Sequence, residues 1–420
     1  MKPRYDDLIV AVDIGSSKIV TVISEINDTG STTIIGIGKS KNNDGVKNGV
    51  VVNINAVVEA LNESISEAEM QAGREIKSVY VGVSGKDVES INSKGVVAIS
   101  GHDKEIRKND VDRVIEAAKA VAIPLDREIL HIVPQWFSVD GQDNIKLPIG
   151  MVGTRLESQI HIITTSISSI QNVNKCFERI GLPINGIILQ NLASARSVLT
   201  NDEKELGVVL IDIGSETTKV SVYQRQSPIY NTIFHKIGGY LVTNDIAVGL
   251  KISTTVADAL KIEHGVADFE MVDDLEKLQI PVVGGRSNRV IPTKTLVHII
   301  KPRLVEMFKI IKEDIEKKGY LNNLSGGVVL TGGTSHIPGI DLLCQEVFDL
   351  PSRVGYVKRL SGLGDQIASP EFAVVNGLVL MGFDRYLPLQ SSSYETRKKK
   401  NNESGNTVFD GIKSFFSNFF

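Results

Sequence analysis

The chain has 420 residues, 42% hydrophobic, 23% charged and 5% aromatic, with a formal net charge of −4. That is too apolar and too balanced in charge for a disordered chain, and long enough for two or more cores. The slight acidic excess argues against a whole-chain nucleic-acid footprint, and two cysteines, Cys176 and Cys344, exclude a disulfide framework and read as small buried apolar groups.

Met1–Asp7 carries no apolar h-region, so no secretion signal is expected, and no uninterrupted apolar stretch reaches membrane-spanning length. Leu8–Val12 reads as a buried strand, Asp13–Lys18 as a turn and Ile19–Ile23 as a second strand. Thr32–Ile37 and Val50–Ile54 read as a further strand pair. A helix follows from about Asn55 to Gly73, and Val79–Val83 closes the block as a strand.

From 84 to 163 the pattern changes. Strands at Val96–Ile99 and Ile129–Val133 bracket an amphipathic helix that presents Val111, Val114, Ile115, Ala118, Val121 and Ala122 on one face. Asn109 or Asp110 can cap it and Pro124 stops it. The segment reads as a small α/β insert, with Trp136 packed in its core or, as the alternative, set on a contact surface.

A second α/β block begins near Ile170, with a helix ending near Gly181, the strand Ile187–Leu189 and then Gln190. A mostly helical stretch follows Gly238. The long helix pattern Leu296–Lys318 contains Pro302, which marks a kink or a boundary between two helices. Val328–Leu330 is a strand before a glycine turn. Pro388–Asn406, with three consecutive serines and the basic run Arg397–Lys400, reads as a flexible linker.

One internal repeat sets the architecture. Leu8–Lys18, LIVAVDIGSSK, recurs as Val208–Lys219, VVLIDIGSETTK. Two strand–turn–strand units at domain spacing predict two similar lobes. In each, a glycine lets the backbone approach an anion, and turn N–H groups with serine hydroxyls can cradle a phosphate. The aspartate at the strand end can hold Mg²⁺ through water, and Lys18 adds positive charge. The turn is neither a Walker A loop, whose pattern is absent, nor a Rossmann turn, because a strand follows it. Either copy alone is equally a capped hairpin; the pair favours phosphate binding.

A third element, Val328–Gly339, runs from a strand into Gly332, Gly333 and Thr334 and then a helix. Adjacent glycines permit a flat nucleoside to lie on the backbone, and a helix N-terminus favours phosphate. A plain strand–helix turn is the alternative. Asp258 and Lys261 share one helix face, where they can also form an ordinary exposed ion pair.

Five of the 13 phenylalanines fall in the last twelve residues. At about 100° per residue, Val408, Phe409, Ile412, Phe415, Phe416, Phe419 and Phe420 occupy an arc of roughly 140°. A helix over 407–420 reaches about 21 Å, so it can lie in a membrane interface but not span it. The neighbouring basic run adds attraction to anionic lipid, on the order of 1 kcal/mol per charge. A helix docked on its own lobe, or in a partner's groove, is the alternative.

The ordered set resembles the actin, Hsp70 and sugar-kinase ATPase superfamily. Its phosphate motifs match Asp13–Lys18 and Asp212–Lys219, its connecting segments Leu189–Ala195 and Pro370–Leu378, and its adenosine motif Val328–Gly339. Within that superfamily the chain is similar, over about residues 5–388, to the FtsA family of bacterial cell-division proteins. The resemblance implies an α/β, actin-like two-lobed ATPase fold with a small α/β insert in place of actin subdomain 1B, and a C-terminal amphipathic helix on a flexible linker. Subdomain 1A would comprise 5–83, 164–204 and 370–388, the inserted 1C 84–163, 2A 205–235 and 300–369, and 2B 236–299. The disordered linker would be 389–406 and the membrane-targeting helix 407–420.

It also implies ATP with Mg²⁺ between the lobes. Asp13 and Asp212 would flank the metal. Gly15, Ser16, Ser17, Lys18, Gly214, Ser215, Glu216 and Thr217 would meet the phosphates. Gly238, Gly239, Asp258 and Lys261 would complete the nucleotide site, the last two near the ribose, with Gly332, Gly333 and Thr334 against the nucleoside. Gln190 stands where relatives orient the attacking water. Ser215 and Glu216 replace glycines and Lys219 replaces an acid, which implies slow or negligible hydrolysis. The function implied is an ATP-binding, self-associating protein on the cytoplasmic face of the cell membrane at the division site. It would tether the FtsZ ring there by holding the FtsZ C-terminal tail on 236–299, bind anionic membrane lipid, and recruit later divisome proteins. No nucleic-acid partner is expected. A sugar-kinase-like phosphotransferase is the alternative, and would need an acceptor pocket with a general base.

Overall fold

The computed structural model describes residues 7–27, 31–42, 44–281 and 288–396. Three strands, β1 (Leu8–Ile14), β2 (Lys18–Ile26) and β3 (Thr32–Lys41), form successive antiparallel hairpins. β1 is almost wholly apolar because both its faces are covered. Val10, Val12 and Ile14 pack with Val57 and Leu61 of helix α1 (Ile54–Ala72), while Ala11 meets Val374 and Leu378 near the end of the chain. Asn53 caps α1 by accepting from the N–H groups of Asn55 and Ala56. That cap diverts the chain into the helix, so the strand expected at Val50–Ile54 is only Val50–Val51. Next, β4 (Val79–Val83) runs parallel to β1.

The insert comprises β5 (Glu89–Ala98), α2 (Lys108–Ala118), β6 (Arg127–Val139), β7 (Gln142–Ile145) and β8 (Arg155–Ser166), its sheet ordered β5-β8-β6-β7. Val111, Val114 and Ile115 of α2 pack on Phe137 and Leu156. The helix cap is Arg107 rather than Asn109, with Asp110 accepting the Arg107 N–H at 3.0 Å. α2 ends at Ala118, short of the expected Ala122, although Val121 still packs against Ile160 and Ile162. Trp136 is not a core residue. Phe137 takes the position facing α2, so its neighbour points to the other face, half-buried, with the Lys94 ammonium 5.6 Å from its ring.

α3 (Ile167–Arg179), β9 (Ile184–Leu189) and α4 (Gln190–Val198) follow, completing a first sheet whose main strands run β9-β4-β1-β2-β3. The second sheet begins with β10 (Val208–Ile213), β11 (Thr217–Gln224) and β12 (Ser227–His235). Helices α5 (Gly239–Leu250) and α6 (Thr254–His264), the hairpin β13 (Lys277–Ile280) and β14 (Arg289–Pro292), and α7 (Lys294–Lys317) come next. Then β15 (Val328–Thr331), α8 (Ile340–Phe348) and β16 (Ser352–Val354) complete the order β12-β11-β10-β15-β16, and α9 (Ala373–Thr396) returns to the first sheet.

Both sheets therefore have three antiparallel strands followed by two parallel ones. Their registers coincide. Asp13 stands opposite Val20 and level with Gly82; Asp212 stands opposite Lys219 and level with Thr331. The short sequence repeat is a repeat of whole sheets. Lys18 and Lys219, which end the two matched segments, are not equivalent: in register Lys18 corresponds to Thr217, and Lys219 to Val20.

α7 passes through Pro302 as one helix rather than two. Its stripe Leu296, Ile300, Leu304, Met307, Ile311 and Ile315 seats both halves on the second core. α9 runs to Thr396, past the expected start of the linker at 389. The rest of the linker, 397–406, and the helix at 407–420 with Val408, Phe409, Ile412, Phe415, Phe416, Phe419 and Phe420 lie outside the described residues. Among the described residues no helix is long and apolar enough to cross a membrane.

The insert is pinned to β12 by a buried polar network. Ser90 Oγ donates to the Asn231 carbonyl (2.8 Å) and accepts the Asn231 N–H (3.0 Å). His161 lies fully buried between Asn92 Oδ1 at 2.7 Å and Asn231 Nδ2 at 2.9 Å.

Candidate functional site

The β1–β2 and β10–β11 turns close identically. The Gly15 N–H donates to the Lys18 carbonyl at 3.0 Å, and the Gly214 N–H to the Thr217 carbonyl at 2.9 Å. A Cβ on Gly15 would stand 2.8 Å from that Lys18 oxygen, so the turn excludes a side chain. The two turns border one cleft of about 670 Å³.

Asp13, Gly15, Ser16, Ser17, Lys18 and Gln190 line the cleft from the first sheet. Asp212, Gly214, Ser215, Thr217, Gly239, Asp258, Lys261, Gly332, Gly333 and Thr334 line it from the second. Two expected residues stand elsewhere. Gly238 backs the second turn, where a Cβ would lie 2.4 Å from the Ser215 oxygen; this close approach lets Gly239 and Tyr240 donate to the Gly214 and Ser215 carbonyls. Glu216 does not line the cleft; its Oε2 accepts the Asn48 N–H at 2.7 Å. The anion that would oppose a phosphate instead ties the second turn to the segment before α1.

The two aspartates differ. Asp212 is buried, with the Lys219 ammonium 3.2 Å from its Oδ2. Asp13 has no equivalent lysine across its hairpin; Gln190 Nε2 donates to its Oδ1 at 2.7 Å and to the Ile14 carbonyl at 3.3 Å. Burial, reinforced by nearby Asp212, pushes the Asp13 carboxyl up to about 6 against the opposing pull of Lys219, Lys18 and Gln190.

Gln190 opens α4, where the Leu189 N–H donates to His131 Nε2 at 2.9 Å. Burial, with Arg385 nearby, pushes that imidazole down to about 3, so it serves as a neutral acceptor. The next residue, Asn191, is buried and donates to the Val220 carbonyl (3.1 Å), Ser221 Oγ (3.3 Å) and the Thr232 carbonyl (3.3 Å). The start of α4 thus grips both sheets.

Asp258 and Lys261 pair at 2.7 Å on α6. Burial raises the Asp258 carboxyl, but hydrogen bonds from Lys261 and Thr243 outweigh it and hold the group below its usual range. At the third turn Gly332 has φ 87°, and a Cβ there would meet Asp212 Oδ1 at 2.5 Å. Thr334 Oγ1 donates to the Gly214 carbonyl at 3.3 Å. The glycines lead into a 3₁₀ turn, Gly333–His336, and α8 starts only at Ile340. Pro338 holds Ile337 extended, which separates the expected helix N-terminus from the glycine turn.

Sequence reasoning missed Glu371. It lines the cleft and forms an ion pair with Lys18, while the Lys18 and Lys39 ammoniums each lie 4.4 Å from the centre of the Phe372 ring. Burial raises the Glu371 carboxyl, but Lys18 above all, then His336 and Lys39, hold it below the usual carboxylate range. Its only sequence signal was its place within Pro370–Leu378. The three cleft lysines 18, 219 and 261 each have a carboxylate partner.

The family model described as "SHS2 domain inserted in FTSA" matches residues 85–164, and that described as "Cell division protein FtsA" matches residues 209–377. The chain is 42% identical over 413 residues to the cell division protein FtsA of Borreliella burgdorferi, covering 98% of each chain. Among solved structures, a chain of the PilM-PilN type IV pilus biogenesis complex is similar with TM-score 0.63 at 16% identity, over 89% of this chain and 98% of that one. MreB5 of Spiroplasma citri bound to ADP is similar with TM-score 0.57 at 12% identity, over 92% of this chain and 99% of that one.

Proposed function

This chain belongs to the FtsA family of cell division proteins and has the actin-like ATPase fold, and from that premise we propose that it binds ATP with Mg²⁺ in the cleft and uses the nucleotide to govern its self-association at the membrane. One observation carries the reading: two equivalent glycine–serine hairpin turns border a single cleft, with a third glycine turn beside them. Turn N–H groups and the hydroxyls of Ser16, Ser17, Ser215 and Thr217 suit phosphate. Gly332 and Gly333 offer bare backbone to a nucleoside, and the Asp258–Lys261 pair offers an acceptor and a donor to ribose hydroxyls. The ADP named for the MreB5 structure agrees with this reading.

Asp13 and Asp212 fit a magnesium site, which takes one or two carboxylates together with substrate phosphates. The raised carboxyl of half-buried Asp13, which faces Val20 rather than a lysine across its own hairpin, marks a charge that a divalent cation would balance. Bound Mg²⁺ would neutralise phosphate charge. Gln190 Nε2 is held by Asp13 Oδ1 and the Ile14 carbonyl, and the residues that replace glycines and an acid at Ser215, Glu216 and Lys219 make slow turnover the expectation.

The cell-division role follows from joining this cleft to the tail. Residues 407–420 would lie in the cytoplasmic leaflet against anionic lipid, with 397–406 as tether. The C-terminal tail of FtsZ would dock on the region 236–299, and the insert would contribute to self-association and to contacts with later divisome proteins. ATP-favoured polymers would multiply weak membrane anchors into firm attachment.

The test is liposome co-sedimentation of the full chain and of residues 1–406, each with and without ATP. Membrane binding that is lost on truncation and strengthened by ATP supports the reading. Equal pelleting of both forms overturns the role given to the tail. Rapid phosphoryl transfer to a sugar acceptor would favour the phosphotransferase instead.

A further inference from the structure

The cation expected to meet a phosphate at the first turn already holds an anion. We propose that Glu371 is an internal competitor for phosphate: its carboxylate occupies Lys18, and a polyphosphate nucleotide must displace it to engage that lysine. This rests on the nucleotide reading of the cleft and adds a residue that sets which nucleotides bind well.

The backbone around Glu371 is held on both sides. The Pro370 carbonyl accepts the Gly332 N–H at 3.2 Å and Thr331 Oγ1 at 3.1 Å, both at the end of β15. Phe372 is buried in the first core, and the Asn376 side chain donates to its carbonyl at 3.1 Å. Between these anchors the Glu371 side chain is 36% exposed, so it can swing toward solvent without moving the main chain. Lys18 and Lys39 both act on its carboxylate as positive neighbours. Such a cluster suits an anion carrying more than one charge better than a single carboxylate.

Two consequences follow. Glu371 weakens the binding of phosphate-bearing nucleotides and leaves the bare nucleoside unaffected, because the competition is for Lys18 alone. A nucleotide that takes Lys18 also exchanges a contact between the first turn and the Pro370–Phe372 segment for one through its own phosphates. That segment is bonded to the third turn, so phosphate occupancy is read by both sheets.

Calorimetric titration of the full-length protein tests this, with Mg·ATP, Mg·ADP and adenosine as ligands. Wild type, Glu371→Gln, Lys18→Met and the double variant are compared. Glu371→Gln should tighten ATP and ADP about three- to fivefold, as expected for removing a half-exposed ion pair, with adenosine unchanged. The gain should vanish on the Lys18→Met background. If wild type binds ATP and Glu371→Gln binds it no more tightly, or the gain persists without Lys18, the competitor role is overturned while the nucleotide site stands. If neither wild type nor Glu371→Gln binds any nucleotide, both fall.

Discussion

Lys219 faces Asp212 across the second hairpin with its ammonium 3.2 Å from the carboxylate, at the register position where the first hairpin sets Val20 against Asp13. A duplicated frame thus carries an unduplicated charge.

Lys219→Met should leave Asp212 as a buried, uncompensated charge. Breaking such a pair from one side costs about 3 kcal/mol. Urea unfolding followed by circular dichroism should show an earlier midpoint for the variant. An unchanged midpoint would show that Asp212 finds another partner.

Asp13 makes a pH-dependent contribution of the opposite sign to an ordinary paired aspartate. Its folded value of about 6 exceeds the ordinary aspartate value of 3.8. Between those values the folded chain keeps a proton that the unfolded chain has released, so this contribution to stability falls as pH rises through the window. Asp13→Asn should match wild type in unfolding free energy, read by urea titration, near pH 3.5 and exceed it above pH 6 by on the order of 2 kcal/mol. The same variant should lose magnesium-dependent nucleotide affinity. A constant gap across the pH range would refute the assignment.

His161 should govern how firmly the insert holds to β12. Burial pushes its imidazole down to about 3, far below the unfolded 6.5. The unfolded chain therefore takes up the proton first, and the stability contributed by the neutral ring is full above pH 6.5 and lost as pH falls toward 3. His131, also lowered to about 3, acts in the same direction. His161→Ala leaves Asn92 and Asn231 short of a partner and should cost about 2 kcal/mol. Hydrogen exchange should accelerate in Glu89–Ala98 and Ser227–His235 of that variant, while exchange in α1 stays unchanged.

Glu216→Gln separates two views of that residue. Were its carboxylate in the cleft, removing the charge would tighten ATP. Because it accepts the Asn48 N–H instead, ATP affinity should stay within about twofold of wild type, while stability drops by about 1 kcal/mol. Fluorescent-nucleotide titration beside a thermal melt reads both.

Much of the frame was legible because it is local. β1, β2 and α1 follow from apolar spacing and caps within a few residues of one another, and the Asp-Ile-Gly-Ser repeat announced the paired sheets. The cleft residues were legible for the same reason: their glycines and hydroxyls lie in short turns. What escaped depends on neighbours far along the chain. The pairing of Lys18 with Glu371 joins opposite ends of the sequence, and the position of Glu216 off the cleft lining depends on an amide in another segment. Likewise, the non-equivalence of Lys18 and Lys219 appears only in strand register, and the outward face of Trp136 only once Phe137 has taken the position under α2.

At the start of α4, Gln190 is bonded to Asp13 of the first sheet and Asn191 to Val220, Ser221 and Thr232 of the second. The bonds to Val220 and Ser221 are buried, so pulling the sheets apart there would strip polar groups of their partners with no water to replace them. That helix end is therefore a common anchor: the two sheets cannot slide past one another there without breaking it.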